Sequence, residues 1–239
     1  MKKVIDSFKG LSKFELCLWC SSILLIVVSF IFLKEKSYLN LVNSLIGATA
    51  LIFVAKGYVL GQVLTLAFSV TYGIISYGFA YYGEMITYLG MTAPIAVFSI
   101  ISWIKHPYRD TSEVEVAKIS VKQTAVTVLG AAITTVIFYF LLDCLDNANL
   151  IISTISITTS FLASYLSFLR SPFYALAYAA NDVVLIILWI LATLENLSYF
   201  PMIVCFAVFL VNDIYGFFNW RSIYKRQRSI SLGIEKSLL

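Results

Sequence analysis

Eight apolar runs punctuate this chain, at 15–34, 38–55, 58–81, 85–104, 124–142, 149–169, 172–194 and 199–220, each bounded by charged residues, Gly or Pro. Each is long enough to cross a bilayer as a helix, which takes about 20 residues for a hydrocarbon core about 30 Å thick. In lipid every backbone N–H and C=O must find its partner within the protein, so isolated runs of this length are helical rather than open strands. Composition agrees, with 60% of residues hydrophobic, 13% charged and a mean hydropathy of +0.90. No polar stretch is long enough for an extramembrane catalytic domain. The sequence therefore predicts an all-α membrane protein of eight transmembrane helices, joined by tight turns at Lys56-Gly57, Tyr82-Gly83-Glu84, Arg170-Ser171-Pro172 and 195–201.

Charge sorts these spans. With the N-terminus inside, one side of the membrane collects four basic residues of the N-terminal tail, Lys56, four in the 105–122 loop, Arg170 and five in the C-terminal tail; the other side holds only Lys34 and Lys36. Basic residues mark the cytoplasmic side, which predicts a multi-pass protein of a bacterial inner membrane with both termini cytoplasmic. Lys2 and Lys3 before the first run resemble a signal peptide. The run is followed by Lys34-Glu35-Lys36 without a small-residue cleavage site, so it is read as a retained helix.

The 105–122 loop divides two halves of similar spacing. Lys56 and Trp103 are 47 positions apart, and Arg170 and Trp220 are 50. Helix four closes on Ser102-Trp103-Ile104-Lys105 and helix eight on Asn219-Trp220-Arg221, each read as an interfacial aromatic beside a basic anchor. The plan is 1+3+1+3: an N-terminal tail and extra helix (1–37), a three-helix repeat (38–104), a loop and linking helix (105–148), a second repeat (149–220) and a cytoplasmic tail (221–239). The single intervening span makes the two three-helix repeats parallel.

Polar groups at membrane depth are costly and mark substrate routes. Tyr174, Tyr178, Asn181 and Asp182 share one face of helix seven by i, i+3 and i+4 spacing. Asn212 and Asp213 lie within helix eight, and Gln62 and Thr65 on helix three offer a facing wall. Aromatic planes beside amide and carboxyl groups suit a heteroaromatic ring joined to a polyhydroxylated sugar, a nucleoside-like small molecule. Asn and Asp as interhelical glue is the competing reading; Glu84, at a helix start, is read as a helix-dipole partner.

Other chemistry is not indicated. His106 is the only histidine and lies in a loop, so no metal centre, cofactor or His-dependent triad is predicted and the chain is not read as an enzyme. Cys17 and Cys20 have the CxxC spacing but lie in an apolar run, where a lipid-facing or packing role fits better. The dispersed basic residues line no groove for nucleic acid. Their absence from helix interiors favours an unphosphorylated cargo.

The segments Tyr82-Gly83-Glu84-Met85, Met91-Thr92-Ala93-Pro94, Ser160-Phe161-Leu162-Ala163, Ala180-Asn181-Asp182 and Asn212-Asp213-Ile214-Tyr215-Gly216 through Asn219-Trp220 resemble, in order, the Pnu family of vitamin transporters over residues 38–227. The resemblance implies two parallel three-helix bundles around one site, a homotrimer, and facilitated diffusion of nicotinamide riboside with a cytoplasmic kinase trapping the product. The family's nicotinamide riboside carriers have a WxxWxxxN signature, aligned here with Tyr174, Ala177 and Asn181. Only the Asn is present, and other branches carry thiamine, riboflavin or deoxynucleosides.

Overall fold

The computed structural model describes residues 7–31, 38–78, 82–147 and 149–237. Lys2, Lys3, Lys34 and Lys36, which enter the charge count, lie outside the described residues. Among those described, eight helices are long and apolar enough to span a bilayer. They are α1 (Lys13–Ile31), α2 (Tyr38–Ala55), α3 (Val59–Gly78), α4 (Gly83–Lys105), α5 (Val121–Cys144), α6 (Leu150–Phe168), α7 (Phe173–Glu195) and α8 (Phe200–Ser237). Two helix boundaries carry more than hydropathy. In α4, Pro94 has no N–H to give, and just before it the chain widens into a π turn over Thr87–Thr92, where the Ala93 N–H reaches back to the Tyr88 carbonyl. In α8 the helix does not stop where the apolar run ends at 220. Trp220, Ile223 and Gln227 recur on one buried face, and nothing in the sequence breaks the helix there.

Helices α2–α4 and α6–α8 form two matching triads that brace each other. Helix α2 ends with Gly57 in the left-handed region (φ 71°), the Gly57 N–H bonding Val54 and the Tyr58 N–H bonding Phe53. Helix α6 ends in the same way with Arg170 (φ 60°), the Arg170 N–H bonding Ser167 and the Ser171 N–H bonding Leu166. Both are Schellman ends, which Gly adopts without strain and Arg at a cost of about 1 kcal/mol. Two carbonyls at each end, one of them already holding its Schellman bond, are then capped by the other triad. Trp103 Nε1 donates to Ser167 O (3.0 Å) and Ser102 Oγ to Phe168 O (3.1 Å); Trp220 Nε1 donates to Val54 O and Asn219 Nδ2 to Ala55 O (both 2.8 Å).

These contacts correct the reading of Trp103 and Trp220 as interfacial aromatics. They are 1% and 0% exposed and pack on each other with ring centroids 5.4 Å apart. A Trp whose N–H finds a buried carbonyl belongs inside. The arrangement fits the 1+3+1+3 plan. Helix α1 flanks α2 and α8, and α5 flanks α6 while leaving most of its surface uncovered. Cys17 and Cys20 are exposed on α1.

Beneath the triads, on the face that carries the start of α1 and the end of α8, residues 107–117 form a strap. The Val114 N–H bonds Gly57 O, the Ala117 N–H bonds Arg170 O, and Gln227 from the α8 extension clamps both Val114 O and the Val116 N–H. Glu113 pairs with Arg226, and Arg170 donates to Glu115 O. On the same side buried Glu15 of α1 accepts from Tyr215 (2.7 Å) and pairs with Lys56 (3.3 Å).

The reciprocal braces predict equal penalties. Trp103→Phe and Trp220→Phe each keep an aromatic ring but lose the indole hydrogen bond to a helix-end carbonyl that retains its backbone partner, which costs about 1 kcal/mol. Thermal unfolding in detergent should show matched falls in midpoint of a few degrees. A fall in one variant alone would contradict the equivalence of the two triads.

Candidate functional site

Between the triads lies a cavity of about 60 Å³, lined among the described residues by all six of their helices. Gly47 of α2 makes room for it. A Cβ there would lie 2.4 Å from the Phe209 ring and 2.9 Å from Phe68, so the rings could not close on the helix as they do.

The polar wall is α7 against α6. Asn181 is 3% exposed, and its Oδ1 collects Ser156 Oγ (3.2 Å), Thr159 Oγ1 (2.8 Å) and Ser160 Oγ (3.1 Å). An acceptor so occupied fixes the orientation of the amide. The Nδ2 donor group is therefore what Asn181 offers the cavity. One turn earlier the Tyr178 hydroxyl pairs with Ser164 Oγ (3.2 Å), and Tyr174 packs edge-on against Trp220 at 4.9 Å. Asp182 and Asp213, from α7 and α8, both line the cavity at 4% exposure with their carboxyl groups within hydrogen-bond reach of each other, and two carboxyls so close hold one proton between them. Asp182 Oδ2 accepts from no hydroxyl or amide of the protein and is left to a ligand. Facing them, Gln62 spends its Nε2 on Ser167 Oγ (2.9 Å). An apolar wall of Phe68, Tyr88, Phe206 and Phe209 closes the far side, with Tyr88 and Thr92 carried on the π turn of α4. Among the described lining residues there is no Lys, Arg or His.

Of the residues singled out in the sequence, Gln62, Tyr174, Tyr178, Asn181, Asp182 and Asp213 converge on this cavity, as does Thr65. Two do not. Asn212 turns the other way, donating to Ser22 Oγ of α1 (3.0 Å) and Val208 O (2.8 Å). Ala177 is half-buried and lies off the lining, so the helix position that carries the second Trp of the signature offers this cavity nothing. The aromatic wall and the hydroxyls that seat Asn181 escaped the sequence reading. A buried Ser stripe at 156, 160, 164 and 167, near i+4 spacing on α6, is the signal that points to them.

Comparison with known proteins agrees with this architecture. The family described as nicotinamide mononucleotide transporter matches residues 37–222. The chain is 27% identical over 227 residues to the nicotinamide riboside transporter PnuC of Neisseria mucosa, covering 92% of this chain and 86% of the relative. It is 23% identical over 192 residues to the protein of that name in Haemophilus influenzae, covering 80% and 82%. A crystal structure of the vitamin B3 transporter PnuC superposes with a TM-score of 0.79 at 25% identity, over 91% of this chain and 94% of the other. Eight spanning helices among the described residues, a cavity with one polar wall between two triads and these matches lead to one conclusion: the chain belongs to the nicotinamide mononucleotide transporter family, and it is a multi-pass membrane transporter rather than an enzyme.

Proposed function

We propose that this protein carries nicotinamide riboside across a bacterial inner membrane by facilitated diffusion, and that a cytoplasmic kinase retains the product by phosphorylating it. The family's name and its relatives' names differ by one phosphate, and the charge of the cavity supports the form without it. A nucleotide phosphate needs cationic partners. The described lining holds none and presents Asp182 and Asp213 instead. At an effective dielectric of about 20, like charges 6 Å apart repel by about 3 kcal/mol. Nicotinamide riboside is a pyridinium cation with ribose hydroxyls and a carboxamide. The acidic pair and the faces of Tyr174 and Tyr178 suit the ring charge, Asp182 Oδ2 suits a hydroxyl, and Asn181 Nδ2 suits the carboxamide oxygen.

The remaining parts of the proposal rest on the charge sorting and the family resemblance. Both termini and the strap are cytoplasmic by the distribution of Lys and Arg. The protein is a homotrimer, with the uncovered apolar faces of α5 (Val128, Leu129, Ile133, Val136) available to neighbouring subunits, and native mass spectrometry gives the subunit count.

A ligand panel read by thermal shift tests the substrate. Nicotinamide riboside should raise the midpoint saturably, and thiamine, riboflavin, deoxyadenosine and nicotinamide mononucleotide should not. Stabilisation by one of the others without nicotinamide riboside would overturn the assignment.

A further inference from the structure

A Ser or Thr within a helix commonly turns its hydroxyl back to the carbonyl four residues earlier. On α4, Thr87 donates to Gly83 O (2.8 Å) and Ser99 to Ile95 O (2.9 Å). Thr92 stands between them and does otherwise. It is 5% exposed, its Oγ1 has no hydrogen-bond partner in the protein, and it lines the central cavity. The π turn is the cause. The Tyr88 carbonyl, four residues before Thr92, accepts there from the Ala93 N–H, and the widened turn carries the Thr92 hydroxyl away from its usual acceptor.

The two triads, matched elsewhere, differ at this point. Thr92 precedes Trp103 by 11 residues, as Phe209 precedes Trp220. Where the second triad sets a ring against Gly47, the first sets a small side chain with an unspent hydroxyl. Packing does not call for that hydroxyl, since Val fills the same space without a buried polar atom to satisfy. The cavity, at about 60 Å³, has the volume of about two waters. A nucleoside therefore enters only as the walls part, and Thr92 rides on a wall whose α-helical ladder is already broken. We propose that Thr92 is a further specificity-determining residue of the transport site, its hydroxyl bonding a sugar hydroxyl of the cargo from the α4 side. For its ligand this rests on the substrate reading above, in which the acidic pair, Asn181 Nδ2 and Asp182 Oδ2 take the ring charge, the carboxamide and one hydroxyl. The ribosyl group carries two more.

Thr92→Val keeps the shape of the side chain and removes the hydroxyl. It should weaken nicotinamide riboside about fivefold by isothermal titration, and Thr92→Ser should hold the affinity of the parent within about twofold. The bonded group shows in the ligand. Among analogues lacking the 2′, 3′ or 5′ hydroxyl, the Val penalty should vanish for one and persist for the others. A full penalty with all three, or none with the riboside itself, would overturn the assignment. If Thr92→Val does not fold, or if the riboside fails to bind the parent protein, which counts against the substrate reading alone, a thiol probe tests the position. In a chain whose Cys17, Cys20, Cys144 and Cys205 are replaced by Ser, Thr92→Cys in liposomes should react with a small cationic methanethiosulfonate. Leu89→Cys, at an exposed apolar position of the same π turn, should not. No reaction at Thr92→Cys, or equal reaction at both, would overturn the role of Thr92.

Discussion

Asn181→Ala should weaken nicotinamide riboside binding about a hundredfold while the protein still folds. The amide is held by three hydroxyls of α6 so that only its Nδ2 group is free for a ligand. Removing it loses that hydrogen bond and the pre-set geometry of the wall, together about 2.5–3 kcal/mol, or about two orders of magnitude in affinity. The fold tolerates the change because Ser156, Thr159 and Ser160 sit within a helix. Their hydroxyls can turn back to the carbonyls three or four residues earlier, and the Thr159 hydroxyl, whose one proton serves Asn181 here, already lies within reach of Ile155 O and Ser156 O. Isothermal titration together with a melting curve separates the two effects. Unchanged affinity would remove Asn181 from the site, and a collapse of the melting transition would make it structural glue.

The second large effect concerns charge. Asp182→Asn and Asp213→Asn keep the shape of each side chain and its capacity to accept a hydrogen bond. Together they should weaken nicotinamide riboside about thirtyfold, since the pair shares a proton and one carboxylate charge about 6 Å from a cation in a site of effective dielectric about 20 contributes about 2–3 kcal/mol before screening. The reduced dihydropyridine form of the riboside has almost the same outline without the ring charge. Its affinity should stay within about threefold in the same variants, because its remaining contacts are hydrogen bonds worth about 1 kcal/mol each. Equal losses for the two ligands would mean that the acidic pair positions the α7–α8 wall and does not read charge.

Most of the fold was legible because lipid imposes a period and a length on every span. The boundaries of α2, α3, α6 and α7 fall within a few residues of the apolar runs, and basic residues mark the turns that join them. The candidate site was legible where polar residues interrupt an apolar helix face, as at Asn181 and Asp182. What escaped depended on rotation and on partners. Asn212 and Asp213 are adjacent in sequence, yet successive helix residues point about 100° apart, which turns one toward α1 and the other into the cavity. Hydropathy could not tell a Trp at the water interface from one that caps a helix of the other triad. Trp103 and Trp220 were distinguished only by the carbonyls they reach. Nor did the run ending at 220 announce the continuation of α8, whose buried stripe of Ile223 and Gln227 needs the strap at 107–117 to pack against. Glu84 stands in the first turn of its helix, where the sequence reading has it, with the Tyr72 hydroxyl beside its carboxylate.

The most direct test is transport by the purified protein in sealed liposomes, with labelled nicotinamide riboside and labelled nicotinamide mononucleotide supplied separately and with no ATP or ion gradient. The proposal predicts saturable uptake of the riboside to equilibrium, accelerated exchange when unlabelled riboside is preloaded, and no uptake of the mononucleotide above empty liposomes. Uptake of the mononucleotide at a comparable rate, through a cavity lined by Asp182 and Asp213, would contradict it.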